Sequence, residues 1–435
     1  MNIEKKTIIT IALSLFVIVT IIVLGFLVFS RNKNSLDNKI NFESDSLAIS
    51  EYVIYGTNLN ITTKITDNNY DNVKLYLWSK NEKINIPIET TIKNNYIQIK
   101  TSYYVNQGIN LENLKNGDYE LILVTEKNNS EKKKNEMETK YYYFHNDTTY
   151  SNLEYYTITK NGKNQRVNMN WDNNQHLLFK IEDTKLPDNV YDIAIDPGHS
   201  GIDGGAEGTL NGIKYNERNL NLTICLELKE QLEKLGYKVG ISRTDNETGI
   251  GIYNSGGSAV YANEKKAKYN FAVHNNSSIT KNTYSGLEIY IVNNLEFSLV
   301  RNFVKNILTY GNTTASNKDS YYVEPGIYRR NFSLSDIDIS IADAKKIGYD
   351  PYNITTMTTY YYYLRETGGI TTGAYVDGRN PNIVKNPFYN SNHTAESYLF
   401  ELSYMNTESD LKNMLDNYKG YAKGIATGLD EYIKK

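Results

Sequence analysis

The sequence predicts an α/β domain in its second half, behind a smaller all-β region and an apolar amino-terminal helix. Beyond Val190, short apolar runs alternate with amphipathic helical stretches, a pattern that builds a mostly parallel sheet flanked by helices. Between about Tyr52 and Phe144 the residues alternate with period two and are separated by Asn, Gly and Asp turns. Thr7 to Phe29 carries no charge and is long enough to cross a hydrocarbon core of about 30 Å. At 435 residues the chain exceeds one ordinary core, so two or three domains are expected.

The apolar run is bounded by Lys5 and Lys6 on one side and by Arg31 and Lys33 on the other. Leu27-Val28-Phe29-Ser30 offers no small-x-small cleavage site, so residues 1–31 read as an uncleaved transmembrane anchor. The flanking charges balance, and the positive-inside rule leaves orientation open. Residues 32–46 are polar and rich in Asn and Lys, which suits a tether.

Residues 47–147 read as a β-sandwich. Leu59-Asn-Ile61, Val73-Lys-Leu75-Tyr-Leu77, Tyr96-Ile-Gln-Ile99 and Tyr119-Glu-Leu121 each place apolar side chains on one face. The turn from Leu111 to Tyr119 resembles one found before a late strand of immunoglobulin-like domains. Lys127 to Lys140 is expected to be a solvated hairpin loop. Residues 148–188 continue with strand-like runs, as a β connector.

Residues 189–435 carry the chemistry. Ile193-Ala-Ile195 is a strand that stops at Asp196-Pro197-Gly198, and His199 follows inside a glycine cluster. Glu217 opens a helix whose Leu or Ile residues at 220, 224, 228, 232 and 235 form one stripe, closed by Gly236. Tyr237 to Ile241 and Tyr269 to Val273 are further strands, with His274 just past the second. Ser397 to Phe400 is another, with Glu401 beyond it. Asp410 to Ile433 is a long amphipathic helix with Thr407 to Asp410 as its capping box. Sites in open α/β sheets lie outside the carboxyl ends of the strands, where His199, His274 and Glu401 all fall.

Two imidazoles and a carboxylate, with one position left to water, form a zinc arrangement used in hydrolysis. A further carboxylate must then move a proton from that water to the leaving amine, and Glu401 is the candidate. Composition excludes other classes. The formal charge is -3 and charged residues make up 22%, so nucleic-acid binding has no support. The single cysteine, Cys225, rules out an intrachain disulfide and reads as a small core residue. Of the aromatics, 39 are Tyr against 2 Trp and 12 Phe, a bias shared with Asn, Lys and Ile that suits an AT-rich genome.

Taken together, Asp-Pro-Gly-His199, Glu217, Ser-Arg243-Thr-Asp245, Ala262-Asn263, Val273-His274-Asn-Asn276 and Phe400-Glu401-Leu-Ser-Tyr-Met-Asn406 resemble the zinc-dependent N-acetylmuramoyl-L-alanine amidases. The resemblance covers roughly residue 190 to the end. It implies a six-stranded sheet, Zn²⁺ held by His199, Glu217 and His274, and Glu401 as the catalytic glutamate. It also implies peptidoglycan as substrate, cut between N-acetylmuramic acid and L-alanine, and a catalytic domain on the wall side of a bacterial membrane. A regulatory protein partner is left open.

Three features depart from that pattern. No arginine lies between Arg243 and Arg301, Ala-Val precedes His274, and a Tyr-rich insertion roughly doubles the interval from Gly286 to Glu401. Such an insertion would act as a lid or a specificity loop. Tyr360 to Tyr363 within it reads as strand and core, with a sugar-stacking platform as the alternative. Asn275 and Asn276 would orient His274 or contact substrate. His393 reads as an ordinary loop residue, and His145 and His176 receive no role. Two rival functions remain: a wall-binding scaffold with an occluded site, and a zinc peptidase.

Overall fold

A computed structural model describes residues 47–434, except 67–68, 94, 113, 130–135, 147–149, 159–162, 347, 349–353, 368–385 and 389–390. The apolar run Thr7 to Phe29 lies outside the described residues, and no helix among those described is long and apolar enough to cross a membrane.

The carboxyl-terminal half is built on seven strands. They are β1 (Ile193–Pro197), β2 (Val239–Ile241), β3 (Tyr269–Asn276), β4 (Glu288–Tyr290), β5 (Tyr322–Glu324), β6 (Ile327–Tyr328) and β7 (Glu396–Tyr404). Their spatial order is β2-β1-β3-β7-β4-β6-β5. Neighbours from β2 to β7 run parallel, but β4 pairs antiparallel with β7 and β5 antiparallel with β6. The sheet is therefore mixed and has seven strands, where six mostly parallel ones were expected. The inserted segment supplies β5 and β6, which extend the edge beyond β4.

The helices are α1 (Glu217–Lys234), α2 (Tyr261–Glu264), α3 (Ser298–Tyr310), α4 (Leu334–Lys346), α5 (Tyr362–Arg365) and α6 (Glu408–Ile433). The α1 stripe is buried at Leu220, Ile224, Leu228 and Leu232, with Cys225 among them as a core residue. Asn216 caps this helix by accepting from the Asn219 N–H. Helix α6 crosses α3 closely because a Cβ on Gly424 would lie 2.5 Å from the Ile307 Cα. Its expected capping box does not form. Thr407 donates to the Tyr284 carbonyl instead, and Asp410 accepts from the Tyr404 and Gly286 N–H groups, tying the helix start to the sheet.

The amino-terminal region forms a second sheet of mainly antiparallel strands with its own core, which includes Leu59, Leu75, Leu121, Phe144, Val167 and Phe179. Strands Gly117–Asn129 and Glu136–His145 run into the Lys/Glu/Asn segment expected as loop, pairing Lys127 with Glu138. The opposite charges of Lys127 and Glu138 face each other across the pair, so the ends of that stretch are strand, and residues 130–135 lie outside the described residues.

The two halves are joined at the amino-terminal ends of the parallel strands, away from His199 and His274. Strand Leu47–Tyr55 pairs in parallel with His393–Thr394. Lys268 is buried between Glu112 at 2.6 Å and Asp192 at 3.2 Å. A cavity of about 760 Å³ lies along this junction, lined by residues such as Asn106, Asp192 and Lys268 and by none of the metal-type cluster described below.

Glu396 is buried in the same junction, accepting from the Tyr398 hydroxyl and Asn106 Nδ2. Burial raises its pKa to about 7, although those two hydrogen bonds act in the opposite direction. The folded state thus holds a proton that the unfolded chain releases near pH 4.5. Stability is expected to fall as pH rises from about 4.5 through about 7, by about 3 kcal/mol at most. Thermal unfolding across this range should show that slope in the native chain and lose it in Glu396→Gln. An equal slope in both would assign the dependence to other groups.

Candidate active site

Strand β1 ends in Asp196-Pro197, and the chain turns so that His199 adopts a left-handed φ of 64°. The turn passes directly over His274. A Cβ on Gly198 would lie 2.1 Å from His274 Cε1, so only glycine fits between the two histidines. Their rings are 4.9 Å apart and close to perpendicular. Arg243 holds the turn from beneath, donating to the carbonyls of Pro197, Gly198 and Arg218 at 2.8, 3.1 and 2.9 Å. That buried guanidinium ties the loop to the start of α1 through these carbonyls.

Glu217, the first residue of α1, lies between the imidazoles and is 3% exposed. Its Oε2 is 3.0 Å from His199 Nε2, and its Oε1 is 3.0 Å from His274 Nδ1. Asp203 accepts from the other His199 nitrogen at 2.8 Å, which fixes that ring. The Asn275 and Ala206 N–H groups donate to Glu217 at 3.0 and 2.9 Å. Asn221, one turn along α1, donates to Glu217 and to the Gly198 carbonyl, and Asn275 Nδ2 donates to Asn221. The hydrogen bonds of Asn275 thus run to Glu217 and Asn221 and not to His274, which it was expected to orient if it did not contact substrate. Asn221 was overlooked in the sequence, although a buried Asn four residues after Glu217 on the apolar face was a usable signal.

The ligand atoms of His199, Glu217 and His274 all lie within 4.8 Å of one another. His274 Nε2 is buried without a hydrogen-bond partner. Burial alone would lower the His199 pKa, but the Glu217 and Asp203 carboxylates raise it to about 9. Glu217 is itself held far below the usual carboxylate range; burial opposes this, but both histidines outweigh it. Two imidazoles focused on one buried carboxylate, with an unpaired ring nitrogen beside them, fit a divalent cation of the zinc type.

Glu401 pairs with His274 across β3 and β7, and with Glu288 across β7 and β4. Its Oε2 is closed to solvent and has no hydrogen-bond partner. Burial first, then the Glu217 and Glu288 carboxylates, push its pKa well above the ordinary value, while Lys318 opposes them. Glu288 is fully buried and accepts from Asn276 Nδ2, Ser316 Oγ, Lys318 Nζ and the Tyr290 and Tyr404 hydroxyls. This network behind Glu401 was not legible in the sequence, because Ser316 and Lys318 come from the insertion. Lys318→Met should raise the Glu401 pKa further and move the acid limb of the kcat/KM profile to higher pH. An unmoved limb would remove Lys318 from that role.

The insertion reaches the cluster. Tyr361 packs on Tyr290 with ring centroids 4.9 Å apart, and Tyr363 lies 4.8 Å from the His274 ring. Tyr360 to Tyr363 is thus not the expected strand; Tyr362 and Tyr363 begin α5, and the tyrosines line the site. A cavity of about 490 Å³ opens beside His199, walled by Ser200, Gly251, Tyr362 and Tyr363. His393 pairs with Ile54 at the junction, and His145 bridges to His176 in the amino-terminal sheet, all outside the cluster.

The sequence pattern of the N-acetylmuramoyl-L-alanine amidases matches residues 193–431, more than half of the chain, a span that holds His199, Glu217, His274 and Glu401. The chain belongs to the N-acetylmuramoyl-L-alanine amidase family. Among solved structures, Cwp6 from Clostridium difficile is similar at 21% identity and a TM-score of 0.38, over 56% of this chain and 29% of that one. An N-acetylmuramoyl-L-alanine amidase from Clostridium difficile 630 is similar at 23% identity and a TM-score of 0.38, over 57% and 98%. The catalytic domain of CwlV from Bacillus (Paenibacillus) polymyxa var. colistinus is similar at 19% and 0.37, over 56% and 99%. No curated protein matches the chain by sequence. The enzyme class is thus an amidase acting on peptidoglycan.

Proposed function

We propose that this amidase cleaves the amide between the lactyl group of N-acetylmuramic acid and L-alanine, with Zn²⁺ held by His199, Glu217 and His274 and Glu401 as the proton carrier. The observation that carries the reading is the buried, unpartnered Glu401 Oε2 beside the His-Glu-His cluster. When bound, zinc supplies a Lewis acid and lowers the pKa of water at the site. Glu401 takes a proton from the attacking water at Oε2 and delivers it to the alanine nitrogen as the C–N bond breaks. An elevated pKa suits a carboxylate that must accept a proton and then give it up. Water's hydroxyl ends on the lactyl carbon, leaving a carboxylic acid and a free amine. Asp203, Asn221 and Asn275 keep the ligands aimed, and the buried Glu288 carboxylate helps to raise the Glu401 pKa.

Residues 1–31 are read as a membrane anchor on the strength of the uncharged run Thr7 to Phe29; a peptidoglycan substrate, which lies outside the membrane, is what would set the catalytic domain on the wall side. The antiparallel strands of residues 47–147 support an immunoglobulin-like spacer, with 148–188 as connector and 189–435 as catalytic domain.

Peptidoglycan incubated with the chain should yield peptides that begin with a free L-alanine amine, detected by mass spectrometry. Chelation should abolish them and added zinc should restore them. Cleavage elsewhere in the stem would favour the peptidase; intact wall with bound protein would favour the scaffold.

A further inference from the structure

Arg330 follows β6 in the inserted segment. Its guanidinium lies 3.5 Å above the ring centroid of Tyr360, with Tyr321 and Tyr361 at 5.2 and 5.6 Å. The side chain is half-buried, and Nε is shut from solvent without a hydrogen-bond partner. Among the described residues no carboxylate forms an ion pair with it. The Asp336 carboxylate feels its charge but is engaged by the backbone and hydroxyl of Ser333. A partly desolvated cation normally gains an anionic partner that offsets its burial, as Lys318 does with Glu288 and Lys268 with Glu112. Arg330 instead has an aromatic frame that fixes its plane and leaves its charge unmatched.

Its position gives that charge a use. Tyr361 hydrogen-bonds with Arg330, packs edge-on against Tyr290 and feels the Glu401 carboxylate. Tyr361 therefore meets the guanidinium on one side and lies within the field of the group assigned to proton transfer on the other. The muramic acid side of the scissile amide is uncharged, so an anion near Glu401 must come from the peptide side. Each residue advances a chain by about 3.8 Å, so the stem peptide running from alanine toward Tyr361 would carry its next residue toward Arg330.

We propose that Arg330 is a specificity residue that binds the free carboxylate of the stem-peptide residue following L-alanine. The planar fork suits both oxygens of a carboxylate, and the stacked tyrosines hold it ready. This rests on the amidase reading above. The enzyme would then distinguish stems with a free carboxylate at that residue from stems where it is amidated.

The test uses muramyl-L-alanyl-D-isoglutamate and its isoglutamine amide as probes. The native chain should prefer the acid in kcat/KM by about tenfold to a hundredfold, as a charge-assisted bond implies. In Arg330→Gln the ratio should collapse to near one, and Arg330→Lys should retain part of it. Calorimetric binding of both probes to Glu401→Gln, with and without Arg330→Gln, gives the same ratio without turnover. Absence of cleavage by the native chain would sink the amidase reading, yet the binding ratio would still decide on Arg330. Equal binding of the two probes, or an equal loss of both in Arg330→Gln, overturns the proposal and leaves Arg330 as a structural clasp for Tyr360.

Discussion

Glu401→Gln should lower turnover by about 10²- to 10⁴-fold, the range for removing a positioned general acid–base, while the chain still folds and takes up zinc. Gln conserves the volume between Glu288 and His274 on neighbouring strands. It cannot carry a proton between water and the leaving nitrogen. It also removes the carboxyl group whose pKa burial raises, so the acid limb of the pH profile should vanish with the activity. The measurements are kcat on a muramyl peptide and zinc content of the same preparation. Activity within tenfold of the native chain, at full zinc content, would exclude Glu401 from proton transfer.

Gly198→Ala is expected to be nearly as damaging, although no chemical group is lost. The added methyl would lie 2.1 to 2.5 Å from three atoms of the His274 ring. Neither side can yield easily. His274 is buried and its Nδ1 is bonded to Glu217, and the Gly198 carbonyl is held by Asn221 and Arg243. The His199 turn must move, and displacement of a reacting group by about 1 Å can cost on the order of 10²-fold in rate. Zinc affinity should fall by about 10- to 100-fold, as when the partners that aim metal ligands are lost. Zinc titration against a competing chelator would measure this directly. Native affinity in Gly198→Ala would show that the two histidines do not need this spacing.

How much could be read in advance depended on how local each signal was. His199 and Glu217 were visible because glycines, a strand end and a helix start surround them within one short stretch. His274 and Glu401 were visible because each follows an apolar run, although both lie within their strands, β3 and β7, and not past the ends where they were expected. Their neighbourhood became a site only through the pairing of β3 with β7, which sets His274 beside Glu401. The Glu288 network was hidden, since its donors come from Asn276, Tyr290, Ser316, Lys318 and Tyr404, which no periodicity links. The Tyr360 to Tyr363 run misled for a related reason. Aromatic runs favour strands on propensity, but here packing against His274 and Tyr290 decided the conformation.

The sequence alone determined the α/β class and the order of the chemical groups, and it singled out the three residues that the fold brings together, His199, Glu217 and His274. These follow from periodicity, turn residues and the short reach between neighbours along the chain. Tertiary structure decided the mixed seven-stranded sheet, the docking of the amino-terminal region through Lys268 and Glu396, and the approach of the insertion to the site. Each of these depends on contacts between residues far apart in sequence. Which segment finally covers an edge or a site is set by the burial it gains there, and no local pattern encodes that.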